Sequence, residues 1–249
     1  MKLYVLLLIS IPLVCHAISK TDFTQNFATV AKDTLNYKTL FDSAKDKLDR
    51  IHLPFKNQTD AMKALAILKT YPLTSEAQQK ACDLLAKGIP ENADKKIILE
   101  YRKAMLFGYV LPWFSYTRAL IRSSDSLKFD ENMKNEIGKF IKDKAKSELE
   151  HTTTLLEVLV LGSLLEDASN QGLVKLTSDQ TKNLDEIHKQ AKAAGMAAAE
   201  MIPSKLRGQN DKNENLSDEE VSSLLDVNIK EFHEANRIGS QLQVLVKGI

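Results

Sequence analysis

The chain has 249 residues, 34 of them Lys or Arg and 33 Asp or Glu, so its charge is almost balanced. Balanced charge argues against a nucleic-acid partner, because proteins bind the phosphate backbone with an excess of basic side chains. No phosphate-binding loop, nucleophile elbow, H-E-x-x-H motif or zinc-binding cysteine pair occurs. The composition therefore favours a binding protein without a cofactor over an enzyme, although a nucleophile with partners distant in the chain stays open.

Residues 1–17 have the features of a secretory signal peptide. Lys2 precedes an apolar run from Leu3 to Val14, and small residues stand where a signal peptidase would cleave after Ala17. We therefore assign residues 1–17 to a signal peptide and 18–249 to one secreted helical domain. No second apolar run is long enough to span a bilayer, so the sequence predicts no stable membrane anchor.

Cysteine and sequon positions fit a secreted protein with a conventional core. Removal of the signal peptide would leave Cys82 alone, so no internal disulfide can form. Cys82 precedes Leu84 on a predicted buried helix face, which favours an apolar filler over a reactive thiol. Glycosylation sequons begin at Asn57 and Asn215.

The two ends of the secreted domain carry the clearest helical patterns. From Phe23 to Ile51, apolar residues recur in alternating steps of four and three, which predicts one long helix ended by Pro54. From Val221 to Val246 the same pattern recurs after a capping box that begins at Ser217, which predicts a second helix on the order of 45 Å long.

Shorter helices are predicted between these two, and no segment alternates as a strand would. The predicted ranges are 59–71, 75–87, about 91–123, 130–168 as one helix or as two interrupted at the threonines 152–154, and 177–202. Residues 205–215 are polar and predict an exposed loop. The fold class is therefore an all-α, single-domain bundle of about seven or eight helices with long N- and C-terminal helices.

The stretch from Ala104 to Thr117 has no charged residue and holds five aromatic ones. It is shorter than the roughly twenty apolar residues that span a membrane, so we expect a core helix. Pro112 predicts a kink, because its ring collides with the carbonyl group of Gly108. A kink opens space between helices, and we predict a ligand site there. Its residues would be Phe107, Tyr109, Leu111, Trp113, Phe114 and Tyr116, with Arg118 or Arg122 for an anionic head group. The alternative, a plain close-packed core, stays open.

Two acid–histidine pairs on helices are the weak candidates for metal ligands. Glu148 and His151, like Asp185 and His188, stand three residues apart and share a helical face, as in dinuclear carboxylate sites. Such a site also needs glutamates from two other helices, for which Glu100 and Glu231 are candidates. Pairs of this kind are common on charged helices, so we predict no metal.

Charge is unevenly distributed along the chain. Lys95 to Arg122 holds six bases and one acid, whereas residues 209–249 hold eight acids and four bases. The two segments are either neighbours in the fold, or the basic one faces an anionic surface. Aromatic residues bracketed by bases, with a second apolar run from Leu155 to Leu165, are also typical of membrane-active helical bundles.

The predicted function is a secreted, monomeric binding protein that carries a small apolar or lipid-like ligand between helices. The first alternative is an extracellular protein-interaction or effector protein without a pocket, and the second is a membrane-active bundle. A carrier requires Trp113 to border an open volume, whereas an interaction protein requires a close-packed core and an exposed apolar patch.

Overall fold

The computed structural model describes residues 23–30, 43, 46–48, 50, 55–70, 76–91, 93–106, 110–202 and 216–249. These residues are mostly helical and include no strand, so the predicted all-α bundle is confirmed. The signal peptide, most of the predicted N-terminal helix and the polar segment 205–215 lie outside the described residues.

Nine helices of eight or more residues occur within the described ranges, and their buried faces share one hydrophobic core. They are α1 (23–30), α2 (Gln58–Thr70), α3 (Glu76–Ala86), α4 (Lys95–Met105), α5 (Leu111–Ser126), α6 (Glu131–Glu148), α7 (Leu155–Asn170), α8 (Ser178–Met201) and α9 (Asp218–Lys247), with a 3-10 turn at Leu149–His151. Among these helices, none is both long enough and apolar enough to cross a membrane.

Reciprocal capping boxes fix the beginnings of α7, α8 and α9. Thr154, Thr177 and Ser217 each accept a hydrogen bond from the backbone N–H three residues later, and the Glu or Gln there accepts one from the cap's own N–H. The box at Thr154 resolves the open question about residues 130–168. They form two helices, because the chain leaves α6 at Glu148 and α7 begins at Leu155.

The predicted aromatic helix over about 91–123 is described on both sides of residues 107–109, which themselves lie outside the described residues. α4 ends at Met105 and α5 begins at Leu111, with π-helical hydrogen bonding at Leu106 and Val110. Pro112 lies in the first turn of α5, and Val110 before it keeps helical φ and ψ values of −61° and −52°. Gly108, whose carbonyl group was predicted to cause a kink, lies outside the described residues, so the kink stays a prediction.

α9 packs against four other helices, namely α4, α6, α7 and α8. Its predicted apolar seam is buried, as Val221, Leu225, Phe232 and Leu242 show. Gly239 lies on the same seam, against Val158 of α7. The C-terminal helix is therefore a central element of the bundle.

The basic and acidic segments are neighbours. α4 lies along α9, where the ammonium of Lys96 is 3.9 Å from a carboxylate oxygen of Asp218. Six residues further along α4, the Arg102 guanidinium is 3.0 Å from a carboxylate oxygen of Glu231. The uneven charge of the sequence is thus partly balanced by contacts between these two helices.

Candidate functional site

Trp113 lies in a close-packed part of the bundle. Its side chain and that of Tyr116 are buried, while Leu111 and Phe114 are half-buried. The cavity beside Trp113 measures about 10 Å³, room for one water molecule. Its walls are Val110, Trp113, Glu148, Glu157, Val160 and Leu161. Phe107 and Tyr109 lie outside the described residues. The cavity described at this part of the predicted ligand site is therefore far smaller than a lipid-like molecule.

The bases predicted to meet an anionic head group are both engaged by Asp167 of α7. Arg118 donates a hydrogen bond from Nε to Asp167 at 2.6 Å, and its guanidinium lies over the Phe114 ring, 5.3 Å from the centroid. Arg122 approaches the same carboxylate at 3.5 Å. This carboxylate competes with any ligand for the two guanidinium groups.

A lysine that the sequence analysis did not single out is buried next to Trp113. Lys144 of α6 is 1% exposed, and its Nζ lies 5.2 Å from the Trp113 ring centroid and 3.6 Å from a carboxylate oxygen of Glu148. Burial lowers the pKa of Lys144 to about 8, and the Glu148 charge opposes that shift. The sequence pattern could have indicated its burial, because Met133 and Ile137 precede Lys144 on the same face of α6.

Glu157 is a second buried ionisable group. Its carboxylate accepts hydrogen bonds from the backbone N–H groups of Thr153 at 2.6 Å and Thr154 at 2.8 Å, and from the Gln78 amide at 3.1 Å. Burial raises the pKa of Glu157, while these hydrogen bonds and the charge of Arg102 oppose the rise. Its partners belong to the start of its own helix and to α3.

Arg102 joins three elements. It donates hydrogen bonds to Asn228 at 2.9 Å, to the Thr153 carbonyl at 2.9 Å and to Glu231 at 3.0 Å. Glu231 also accepts from the backbone N–H of Leu155 at 3.2 Å. We define the polar centre as the buried residues Gln78, Arg102, Lys144, Glu148 and Glu157 together with the half-buried Glu231. Its side chains mostly satisfy one another and the backbone, so its role is structural.

The weak metal candidates do not converge. Glu148 lies beside Lys144, Asp185 is exposed, and His188 lies 3.7 Å from Glu166. Within the part of the chain that the structure describes, no three His, Cys, Asp or Glu side chains are grouped so as to hold a metal ion. Of the two additional glutamates, Glu100 is exposed and Glu231 is bound to Arg102.

Cys82 has the environment of an unreactive thiol. Its sulfur lies 3.2 Å from the His151 carbonyl oxygen on a half-buried face of α3. Burial, with the nearby charges of Glu157 and Asp83, raises the pKa of Cys82 to about 12. The thiol is therefore protonated at neutral pH, which agrees with the predicted filler role.

A larger space, which the sequence analysis missed, lies between the C-terminal half of α8 and α9. We call it the α8–α9 groove, and its volume is about 500 Å³, within the usual range of ligand sites. The α8 side is formed by Gln190, Ala193, Ala194, Ala197, Ala198 and Met201, and the α9 side by Lys230, Glu231, Glu234 and Arg237. The α8 side is thus apolar and the α9 side charged.

Side-chain size explains why this space is open. The buried residues of α8 are Leu184, Ile187 and Ala191, none of which lines the groove. Beyond them the helix offers mainly methyl groups, which are too short to fill the gap to α9. Met196 and Met201 are 58% and 44% exposed, so the apolar surface continues beyond the groove.

Most of the groove's charged side chains are already paired. Glu231 is bound to Arg102, and Arg237 donates to Glu234 at 2.8 and 3.1 Å and approaches Gln190 at 3.5 Å. Lys230 is exposed and has no hydrogen-bond or ion-pair partner among the described residues. It is the one cation of this groove, within the described ranges, that remains available to a ligand.

Comparison of the chain with protein-family models, curated proteins and solved structures yields no match.

Proposed function

We propose that the chain is a secreted, non-enzymatic binding protein that acts as a monomer and carries a small apolar or lipid-like ligand in the α8–α9 groove. The observation that carries this proposal is the difference in volume between two spaces. The groove offers about 500 Å³, whereas the cavity at Trp113 measures about 10 Å³. Only the first of the two has room for such a ligand.

The chemistry of the groove supports an apolar ligand. Its floor is made of alanine methyl groups and Met201. Covering such a surface with a hydrocarbon chain gains about 25 cal/mol for each Å² of apolar area removed from water. The flexible thioether of Met201 adapts to chains of different shape. The charged side formed by α9 would orient the ligand without contributing most of the affinity.

Secretion and glycosylation belong to the same proposal. Residues 1–17 would direct the chain to the secretory route, where Asn57 and Asn215 would be modified. Asn57 is exposed at the start of α2, and its side-chain oxygen accepts the backbone N–H of Asp60 at 2.9 Å. This cap uses the oxygen and leaves the side-chain nitrogen for a glycan. Asn215 lies outside the described residues.

A second candidate is an extracellular interaction protein, favoured by the exposure of Met196 and Met201. Methionine-rich surfaces adapt to apolar faces of partner helices. A partner helix would cover these two side chains as well as the groove, whereas a small ligand would be confined between α8 and α9.

The test is calorimetric titration of the mature protein with decanol, a neutral single-chain probe. Ala197→Phe would fill the groove and is expected to weaken decanol binding at least about tenfold, a loss of about 1.4 kcal/mol. Ala199→Phe is the matched control, because Ala199 is exposed on the same helix and is not part of the groove. If both variants bind decanol with equal affinity, the binding site lies outside the groove. No decanol binding by the wild-type protein would refute the carrier and favour the interaction protein.

A further inference from the structure

We infer that the α8–α9 groove selects a single-chain amphiphile with an anionic head group, and that Lys230 binds that head group. This inference rests on the proposed function and adds the charge and the orientation of the ligand.

The pairing of the groove's acids argues against a cationic ligand. Glu231 lies 3.0 Å from the Arg102 guanidinium and also accepts the Leu155 N–H. Glu234 lies 2.8 Å from the Arg237 guanidinium. A cationic head group would have to compete with an arginine at either carboxylate.

The same pairing leaves one cation of the groove available. Arg237 is held between Glu234 and Gln190. Lys230 has no such partner among the residues that the structure describes, and it borders the apolar floor. An ammonium group in this position can donate charge-assisted hydrogen bonds to a carboxylate or a phosphate.

The packing of α8 and α9 gives the ligand a direction. Gln180 contacts Gly248, and Gln190 contacts Arg237, so the two helices run antiparallel. Lys230 therefore lies opposite the C-terminal end of α8, which contributes Met201 to the groove. Lys230 and Arg237 stand seven residues apart, about 10 Å along α9. The head group would lie at the Lys230 end, with the chain extended along the alanines towards Gln190.

Two sources offer this chemistry, fatty acids through a carboxylate and lysophospholipids through a phosphate. Both head groups present at least two oxygens that share negative charge to one ammonium group. They differ in size and charge, so parallel titrations with decanoate and decyl phosphate distinguish them. Tighter binding of either anion than of decanol supports the inference, and the tighter of the two identifies the source.

The experiment compares decanoate and decanol in calorimetric titrations at low salt, below the concentrations at which the probes form micelles. Wild-type protein is expected to bind decanoate about fivefold more tightly than decanol, the upper end for an ion pair near the surface. Lys230→Met keeps the side-chain length and removes the charge, so the preference should disappear. Lys182→Met is the matched control, since Lys182 is exposed on α8 and does not border the groove. It should keep the full preference.

The outcomes separate this inference from the proposed function. If wild-type protein binds decanoate and decanol equally, and Ala197→Phe weakens the binding of both, the preference for an anionic head group is refuted. The groove then remains the proposed ligand site. If Lys230→Met keeps the preference, Lys230 is not the binding group. If no probe binds, the proposed function falls and this inference falls with it. Lys230→Glu should reverse the preference in favour of decyltrimethylammonium.

Discussion

The surroundings of Trp113 and the α8–α9 groove differ in the length of the side chains that meet between the helices. Around Trp113, the indole and the long side chains of Lys144, Glu148 and Glu157 leave a cavity of about 10 Å³. In the groove, alanines face α9 and leave about 500 Å³. Aromatic density therefore marks a filled core in this bundle, and a run of small residues marks the open space.

The largest effect is expected from a change that breaks the polar centre. Arg102→Met would leave Glu231 half-buried without its cation and remove hydrogen bonds from Asn228 and the Thr153 carbonyl. Removing one partner of a buried ion pair costs about 3–5 kcal/mol of the free energy of unfolding. Urea unfolding measures it. Arg122→Met, at a largely exposed guanidinium, is the control and should cost less than about 1 kcal/mol. Similar losses in both variants would mean that the polar centre does not hold the bundle together.

The pH dependence of stability tests the burial of Lys144. Because the folded-state pKa of Lys144 is lowered to about 8 from 10.5, the unfolded chain binds its proton more tightly. Protonation of Lys144 therefore favours the unfolded chain. The free energy of unfolding is highest above the unfolded-state pKa and decreases as pH falls towards about 8. Between pH 10 and pH 8, the wild-type protein should lose about 2 kcal/mol more than Lys144→Met does.

This comparison is made by urea unfolding at the two pH values, so that titrations common to both proteins cancel. Lys146→Met provides the control, because Lys146 is exposed on the same helix. It should follow the wild-type protein. A Lys144→Met variant with unchanged pH dependence would show that this lysine is solvated in the folded protein.

A comparable effect is expected at Gly162, where the N-terminal half of α8 packs closely on α7. A Cβ atom at this position would collide with the imidazole of His188. Gly162→Ala should therefore lower the free energy of unfolding by about 1–3 kcal/mol, the usual range for overpacking. Gly195→Ala on α8 is the control, since an added Cβ meets nothing within 4 Å there. A neutral Gly162→Ala would mean that the two helices are not held at this distance.

The smallest effect is expected in the groove itself. Ala197→Leu would extend into the open space and displace no neighbour, so the free energy of unfolding should change by less than about 0.5 kcal/mol. Chemical denaturation of the ligand-free protein measures this, and Ala191→Leu is the comparison, because Ala191 is fully buried. A large loss at Ala197 would show that the groove is closed in solution.

Much of the fold follows from local signals in the sequence. Thr177 and Ser217 begin helices as predicted, since a capping box satisfies backbone N–H groups without help from distant residues. Gly88 and Gly172 follow predicted helix ends and have φ values of +89° and +67°, which glycine adopts at little cost. The break before α7 had a comparable signal in Thr154 and Glu157, which form a capping box ahead of an apolar run.

The candidate site was less accessible from the sequence because it depends on how helices face one another. Apolar spacing on α6 indicates a buried face, but only the fold shows that Lys144 lies there against Trp113. Similarly, the alanines of α8 predict a helix, whereas the groove depends on the antiparallel contact with α9. The ligand site predicted at Trp113 stays a prediction, because Phe107 and Tyr109 lie outside the described residues. The cavity described beside Trp113 measures about 10 Å³.

The measurement that tests the central claim most directly is a decanoate titration followed by NMR of ¹³C-labelled methionine methyl groups. Met201 borders the α8–α9 groove, whereas Met105 and Met133 are buried in the core. A ligand in the groove predicts a saturable shift of the Met201 signal, with the Met105 and Met133 signals unchanged. Shifts of Met105 or Met133 with an unmoved Met201 would contradict the account and return the site to the core beside Trp113.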